Sequence, residues 1–376
     1  MKAAVLFQSP GKLQIEDVVV DDPQPHEVRV KVVAAGLCHS DLHRLDRAFP
    51  LASPLVLGHE GAGVVEAVGS SVTYVQPGDH VIGFSTPACG TCEFCRADRP
   101  TLCDGVTTRR SADQPPRLRL PDGRPLTQMT GLATFAEQML VHENALVKID
   151  MTIPLEVAAL VGCAVPTGVG GVLRAAQVPA GATVAVIGCG GIGLNCLQGA
   201  RLAGASRIVA IDINDGKLDF ARRFGATDTI NNADGSALDQ LAALLPGSGG
   251  VDYSFECLGR PETYELAFRV LRKGGMATGI GISPGSFPIV ASDLLWGRTF
   301  QGCIMGSVRY REDLPYYLDL YRRGELMLDE LVSQRIPLDE INEGYAAISD
   351  GSVARSVVVF DGHPGHPGHP GRPEIC

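Results

Sequence analysis

The sequence predicts an α/β chain in which a doubly wound parallel sheet is set between two stretches of a β-rich module. Three observations carry that reading. Residues 156–298 read as βαβ units: the apolar run ATVAVIG, a glycine-rich turn, the helix-compatible LNCLQGARLAGA, a second run RIVAID, and then GKLDFARRFGA. Residues 1–155 instead alternate short β-rich runs with turn signals, in VRVKVVAAG, GAGVVEAVGSSV and PGDHVIGF. Residues 299–360 return to mixed texture and end on RSVVVF, so they are expected to rejoin the sheet edge and the first module.

The first module opens with MKAAVLFQSPGKLQIEDV, where Gln8, Ser9, Pro10 and Gly11 break the apolar stretch before it could serve as a secretory signal. The longest apolar stretch, VAALVGCAVPTGVGGVL, is interrupted by Pro166, Thr167 and glycines, and is too short to cross a bilayer. A cytoplasmic location is the simplest expectation, with no membrane partner. With 376 residues, 45% of them hydrophobic, the chain can bury real cores. Its formal charge of −10 repels phosphate backbones, so nucleic acid is not expected as a partner.

Within the first module, CGTCEFCRADRPTLC brings Cys89, Cys92, Cys95 and Cys103 onto one loop. A disulfide knot does not suit a chain of this size with eleven cysteines, an odd number. A nucleic-acid zinc knuckle would need basic and aromatic neighbours, and only Arg96, Arg99 and Phe94 are at hand in an acidic chain. Four thiolates at this spacing suit a closed tetrahedral zinc site, which stabilises a fold and leaves no position for water.

A second, dispersed set comprises Cys38 in GLCHSDLH, His59 and Glu60 in LGHEGAG, and Cys163 in LVGCAVPTG. Singly, such cysteines read as buried structural thiols and His59 as a loop histidine. Together they offer two thiolates and an imidazole, which leaves the fourth zinc position open for chemistry.

In the central region, VAVIGCGGIGLNC supplies Gly188, Gly190, Gly191 and Gly193 directly after an apolar strand and before a helix. Asp212 ends the next strand, nineteen residues after Gly193. That is the dinucleotide pattern: tight turn, backbone approach to pyrophosphate, close helix packing, and a carboxylate for the ribose hydroxyls. Asp212 followed by Ile213, with no arginine there, favours NAD over NADP. Beyond Phe360, DGHPGHPGHPGRPEIC repeats Gly-His-Pro three times; residues 361–376 are expected to be disordered or an artificially appended tail, with weak metal binding by His363, His366 and His369 as the alternative.

These motifs, with PGDHV, VAIDIN and SVARSVVVF, resemble the zinc-dependent, medium-chain alcohol dehydrogenases over residues 1 to 360. The resemblance implies a Rossmann coenzyme domain inserted in a GroES-like catalytic domain, with the four-cysteine loop as its structural zinc lobe. It further implies that Cys38, His59 and Cys163 hold a catalytic zinc, that Asp41 orients His59, and that Glu60 sits behind the metal. Ser40 and His43 match the proton relay, Lys217 an adenosine-ribose position, Arg355 a pyrophosphate contact, and Ser85, Met129, Thr130, Ile282 and Ile304 the substrate pocket. His39 stands where many members carry arginine, so NAD affinity is expected to weaken as pH rises through the imidazole pKa.

The segment from Asp104 to Thr130 resembles longer-loop members, implying a homodimer, with a tetramer as the other option. The implied reaction is reversible oxidation of a bulky apolar or aryl primary alcohol with hydride transfer to NAD. Alternatives are a thiol-dependent formaldehyde dehydrogenase, whose adduct Arg109, Arg110, Arg117 or Arg119 could bind, a nicotinoprotein with permanently held NAD, and a non-enzymatic nucleotide-binding protein.

Overall fold

The computed structural model describes residues 1–46, 51, 54–105, 108–111, 113–349 and 355–360; the Gly-His-Pro tail lies outside the described residues. Six parallel strands form the central sheet, in the order Asp228–Asn231, Arg207–Asp212, Thr183–Ile187, Val251–Glu256, Leu271–Gly279, Thr299–Gly302. Chain order therefore reverses between Thr183–Ile187 and Val251–Glu256. At such a switch point the loops leaving two neighbouring strands turn to opposite faces, and a crevice opens beyond their carboxyl ends. Val184, Val186, Ile208, Val209 and Phe255 are buried on both faces of this sheet, as helices covering it on each side require.

The β-rich module is built around the long strand Glu27–Gly36, which pairs antiparallel with Glu60–Val68, Gln138–His142 and Ser356–Val359. The last of these comes from the far end of the chain, so the module closes only when the residues after the parallel sheet return to it. A second sheet, from Lys2–Leu6 to Leu118–Arg119 and Val19–Val20, packs on the first through Leu6, Leu57, Phe135 and their neighbours.

One boundary differs from expectation by a few residues. Helix Leu155–Leu160 lies against strands Glu27–Gly36 and Glu60–Val68, because five of its six side chains are apolar or small and buried there. Strand Thr299–Gly302 opens the segment expected to return to the sheet edge, and it is the sixth strand of the parallel sheet, in register with Met276–Gly279.

Candidate functional site

Register in the β-rich module assembles the first cluster. Gly36 lies opposite Glu60, so Cys38, two residues past the strand end, meets His59, one residue before the neighbouring strand begins. Glycine at position 36 leaves room for the Glu60 side chain: a Cβ there would stand 2.4 Å from the Glu60 Oε2 atom. Cys163 arrives from the break between helices Leu155–Leu160 and Ala164–Gly170, as the residue preceding the second helix. Gly162 permits that approach, since a Cβ would lie 2.9 Å from the Gly83 carbonyl oxygen.

The donor atoms of Cys38, His59, Glu60 and Cys163 all lie within 4.8 Å of one another, and all four residues are buried. Hydrogen bonding to Cys163 holds the Cys38 thiol well below its usual pKa, and the same bond raises that of Cys163. Asp41 Oδ1 accepts from His59 Nδ1 at 3.2 Å and from the Gly58 amide at 3.1 Å. This leaves His59 Nε2 facing the thiols, with Ser40 Oγ 3.1 Å from it and 3.2 Å from Cys38 Sγ. Two soft thiolates and an imidazole fixed through its other nitrogen suit zinc in a tetrahedral site with an open position.

Glu60 is pushed up to about 8 by burial, against the pull of Arg355. Arg355 Nη2 donates to Glu60 Oε1 at 3.0 Å and Nη1 to the Leu37 carbonyl at 2.8 Å. Sequence reasoning missed this ion pair. The strand pairing of Val357 with Gly36 produces it, and only the three-dimensional register reveals that pairing.

At the crevice, Gly188 sits at φ +93°, where an L side chain is strained, and Gly193 packs so closely that a Cβ would fall 1.8 Å from the Gly188 carbonyl oxygen. Helix Gly191–Leu202 points its first turn at the crevice. Asp212 accepts from the amides of Cys189 and Ile213, both at 2.8 Å, and of Asn214 at 3.1 Å. Three of its four lone-pair positions are thus filled.

A Cβ on Gly191 would meet Arg355 Nε at 2.6 Å, so Arg355 spans from the glycine loop to Glu60. The exposed His39 ring lies in the same field: partial burial lowers its pKa, Cys38 opposes, and the charges of Arg355, His43 and Lys217 lower it further. His39, Lys217, Arg355 and the glycine loop are therefore neighbours. Glu256, which sequence reasoning passed over, ends its strand beside them and accepts from the Leu258 and Gly259 amides at 2.8 Å. An acidic residue closing the apolar run of Val251–Glu256 was its only signal.

The four-cysteine loop forms a second cluster, again with ligand atoms within 4.8 Å. Backbone amides point at its sulfurs: Cys89 to Cys103 and Cys92 to Cys89 at 3.2 Å, Gly105 to Cys103 at 3.3 Å. Donation led by Thr91 lowers the Cys89 thiol to about 6, while burial pushes Cys95 up to about 12. Such N–H···S bonds favour thiolates, the form that binds zinc. None of the described cysteines is in a disulfide.

Of the five pocket residues expected, Ile282 and Ile304 line one cavity of about 480 Å³, together with Arg99, Leu102, Ile280 and Ser307. Ser85, Met129 and Thr130 lie elsewhere: Ser85 Oγ contacts Met305 Sδ at 3.6 Å, Met129 packs on the β-rich core, and Thr130 is exposed at φ +52°. In the long loop, Arg110 donates to Glu27 at 2.9 Å and to Asp21 at 2.6 Å, and Arg117 donates to Glu27 at 2.7 Å. Arg119 is 3.8 Å from Asp21, and Arg109 is exposed.

Comparisons with known proteins agree with this geometry. Residues 24–151 match the family model for an alcohol dehydrogenase GroES-like domain, and residues 191–323 that for a zinc-binding dehydrogenase. The chain is 37% identical over 370 residues to S-(hydroxymethyl)glutathione dehydrogenase of Saccharomyces cerevisiae, covering 96% of each. Among solved structures it is similar to benzyl alcohol dehydrogenase from Acinetobacter calcoaceticus, at 30% identity and TM-score 0.89 over 96% of this chain and 99% of that one. It is also similar to an alcohol dehydrogenase zinc-binding domain protein from Burkholderia ambifaria, at 33% identity and TM-score 0.91 over the same shares. With a GroES-like module, a Rossmann sheet and zinc-type ligand clusters in place, the chain belongs to the zinc-dependent medium-chain alcohol dehydrogenase family. It is an oxidoreductase of that class. Among the described residues no helix is long and apolar enough to cross a membrane.

Proposed function

We propose that this enzyme oxidises bulky apolar or aryl primary alcohols to aldehydes in the cytoplasm, reversibly, with hydride transfer to exchangeable NAD. The observation that carries the reading is the Cys38–His59–Cys163 cluster with Ser40 Oγ against it, joined to the dinucleotide loop by Arg355. Cys38, His59 and Cys163 would hold the catalytic zinc, and Cys89, Cys92, Cys95 and Cys103 the structural one. A zinc held by those three residues would supply Lewis-acid chemistry, lowering the pKa of an alcohol hydroxyl much as zinc brings water to about 7.

The residues of the chain do the rest. Asp41 fixes the tautomer and direction of His59. Ser40 accepts the alcohol proton and His43, one helical turn further along His39–Asp46, passes it to solvent. The glycine loop and the start of helix Gly191–Leu202 hold the pyrophosphate with His39 and Arg355, while Asp212 and Lys217 serve the ribose. Ile282 and Ile304, 61% and 47% exposed, offer apolar contact to a substrate larger than ethanol, and Ser85, Met129 and Thr130 remain part of the proposed pocket on family resemblance alone.

A second reading, oxidation of a thiol–formaldehyde adduct, is favoured by the name of the yeast relative. Against it, Arg110 and Arg117 are committed to Glu27 and Asp21. One experiment separates the two. Purified protein is given NAD with alcohols from short aliphatic to aryl, or with formaldehyde plus a low-molecular-weight thiol, and reduced nicotinamide is followed by absorbance. Rates rising with alcohol size are expected. Activity confined to the thiol mixture would establish the second reading, and turnover requiring an external acceptor with co-purifying nucleotide would establish permanently bound NAD.

The proposed assembly is a homodimer. Among the described residues strand Thr299–Gly302 is one edge of the parallel sheet, beside the exposed apolar side chains of Leu294, Leu295 and Trp296. An unpaired edge next to an apolar patch is suited to a second copy that covers both. Light scattering at micromolar concentration is expected to give twice the chain mass, and a monomer there would remove the assignment.

A further inference from the structure

Asp41 Oδ2 and the Tyr345 hydroxyl are among the buried polar atoms that make no well-aligned hydrogen bond in the structure, and the Asp41 side chain lies within hydrogen-bonding reach of that phenol. Asp41 commits Oδ1 to two donors, and its Oδ2, although 3.1 Å from His59 Nδ1, lacks hydrogen-bond alignment with it. Tyr345 reaches this place from helix Ile341–Ser349, near the end of the chain. That helix comes in close because Gly344 has no side chain: a Cβ there would stand 2.9 Å from Leu37 Cδ2, next to ligand Cys38. The Tyr345 ring is held edge-on by Phe135, with centroids 6.1 Å apart, and is 3% exposed.

We propose that Tyr345 is a positioning residue: its hydroxyl donates to Asp41 Oδ2 and completes a chain from Tyr345 through Asp41 to His59. A buried phenol and a buried carboxylate oxygen each lose free energy while unpaired, and each is the other's available partner. Burial first, and then the charges of Asp41, Cys38 and Glu60, keep the phenol protonated and able to donate. With Oδ2 tied, the carboxylate cannot swing away from His59, so the imidazole keeps Nε2 directed at Cys38 and Cys163. This inference rests on the metal assignment made above.

The test uses the zinc-loaded protein and a chromogenic chelator, with Cys163→Ala identifying the phase that belongs to the four-cysteine lobe. Tyr345→Phe keeps the ring and its contact with Phe135. It should release the catalytic zinc about three- to tenfold faster, the worth of one hydrogen bond, with lobe zinc unchanged and the thermal midpoint lowered by no more than a few degrees. In an Asp41→Ala background the same substitution should add little, because the partner is gone. Release at the parental rate, an equal factor in the Asp41→Ala background, or faster loss from both sites would overturn the role of Tyr345. A parent that carries no zinc in the Cys38 cluster would overturn the metal assignment itself, and the inference with it.

Discussion

Replacing Glu27 by Gln should open the long loop, and the expected size follows from the contacts. Glu27 is 3% exposed and receives Arg110 through Nε and Nη2, Arg117 through Nε at 2.7 Å, and the Gln24 amide at 3.0 Å. Burial alone would raise its pKa, but the hydrogen bonds from Arg110 and Arg117 outweigh that and lower it. Breaking a buried pair by neutralising one partner costs about 3–5 kcal/mol. Here Arg110 keeps Asp21 and Arg117 keeps the Thr108 carbonyl at 3.0 Å, so about 2–3 kcal/mol is expected.

The loss falls on the segment that Arg110 and Arg117 anchor, which makes local opening the quantity to measure. Proteolytic nicking between residues 104 and 124 reports the open population when opening is fast, and should accelerate about 30- to 150-fold in Glu27→Gln. A group whose pKa is depressed on folding contributes stability that is complete above its unfolded pKa of about 4.5 and is lost as pH falls through the folded value. The parent loop should therefore stay closed at pH 5 and open only in stronger acid. Nicking within threefold of the parental rate in the variant would refute the account of how this loop is held.

The two metal clusters should separate by mutation. Cys163→Ala is expected to lose the zinc of the buried cluster and nearly all turnover while keeping its fold, checked by elemental analysis and circular dichroism; full zinc content would end that ligand assignment. Cys95→Ala should chiefly lower the unfolding temperature, because a closed thiolate site contributes folding free energy; an unchanged transition would argue that the lobe needs no metal.

Much of this architecture was legible in the sequence because its signals are local. The glycine loop, Asp212 and the four lobe cysteines each lie within one turn or one βα unit, where spacing translates directly into geometry. Cys38, His59 and Cys163 were legible only jointly, since they converge through a strand register that no short window contains. The Arg355–Glu60 pair and the Asp41–Tyr345 neighbourhood were not legible at all: each joins residues about three hundred positions apart, brought together by a return strand and a helix docked without a Cβ at Gly344. The loop arginines show the converse difficulty. They offer a place for an acidic adduct, yet partners far back in the chain, Asp21 and Glu27, hold Arg110 and Arg117.

The return of Ser356–Val359 to the first module also sets an order of events during synthesis. Arg355 is 295 residues from the carboxylate it neutralises, and the strand that follows it pairs with Val33's neighbours Ala34 and Ala35. At about 5–20 residues per second, a ribosome needs roughly 15–60 s to travel from one partner to the other. Throughout that interval Cys38 and His59 have left the exit tunnel without the arginine that closes their site. The lobe thiols, encoded within fifteen positions, can find one another almost at once. The chain thus emerges with its four-cysteine cluster ready early and its Cys38–His59–Cys163 cluster finished last, when the parallel-sheet domain beside it is already complete.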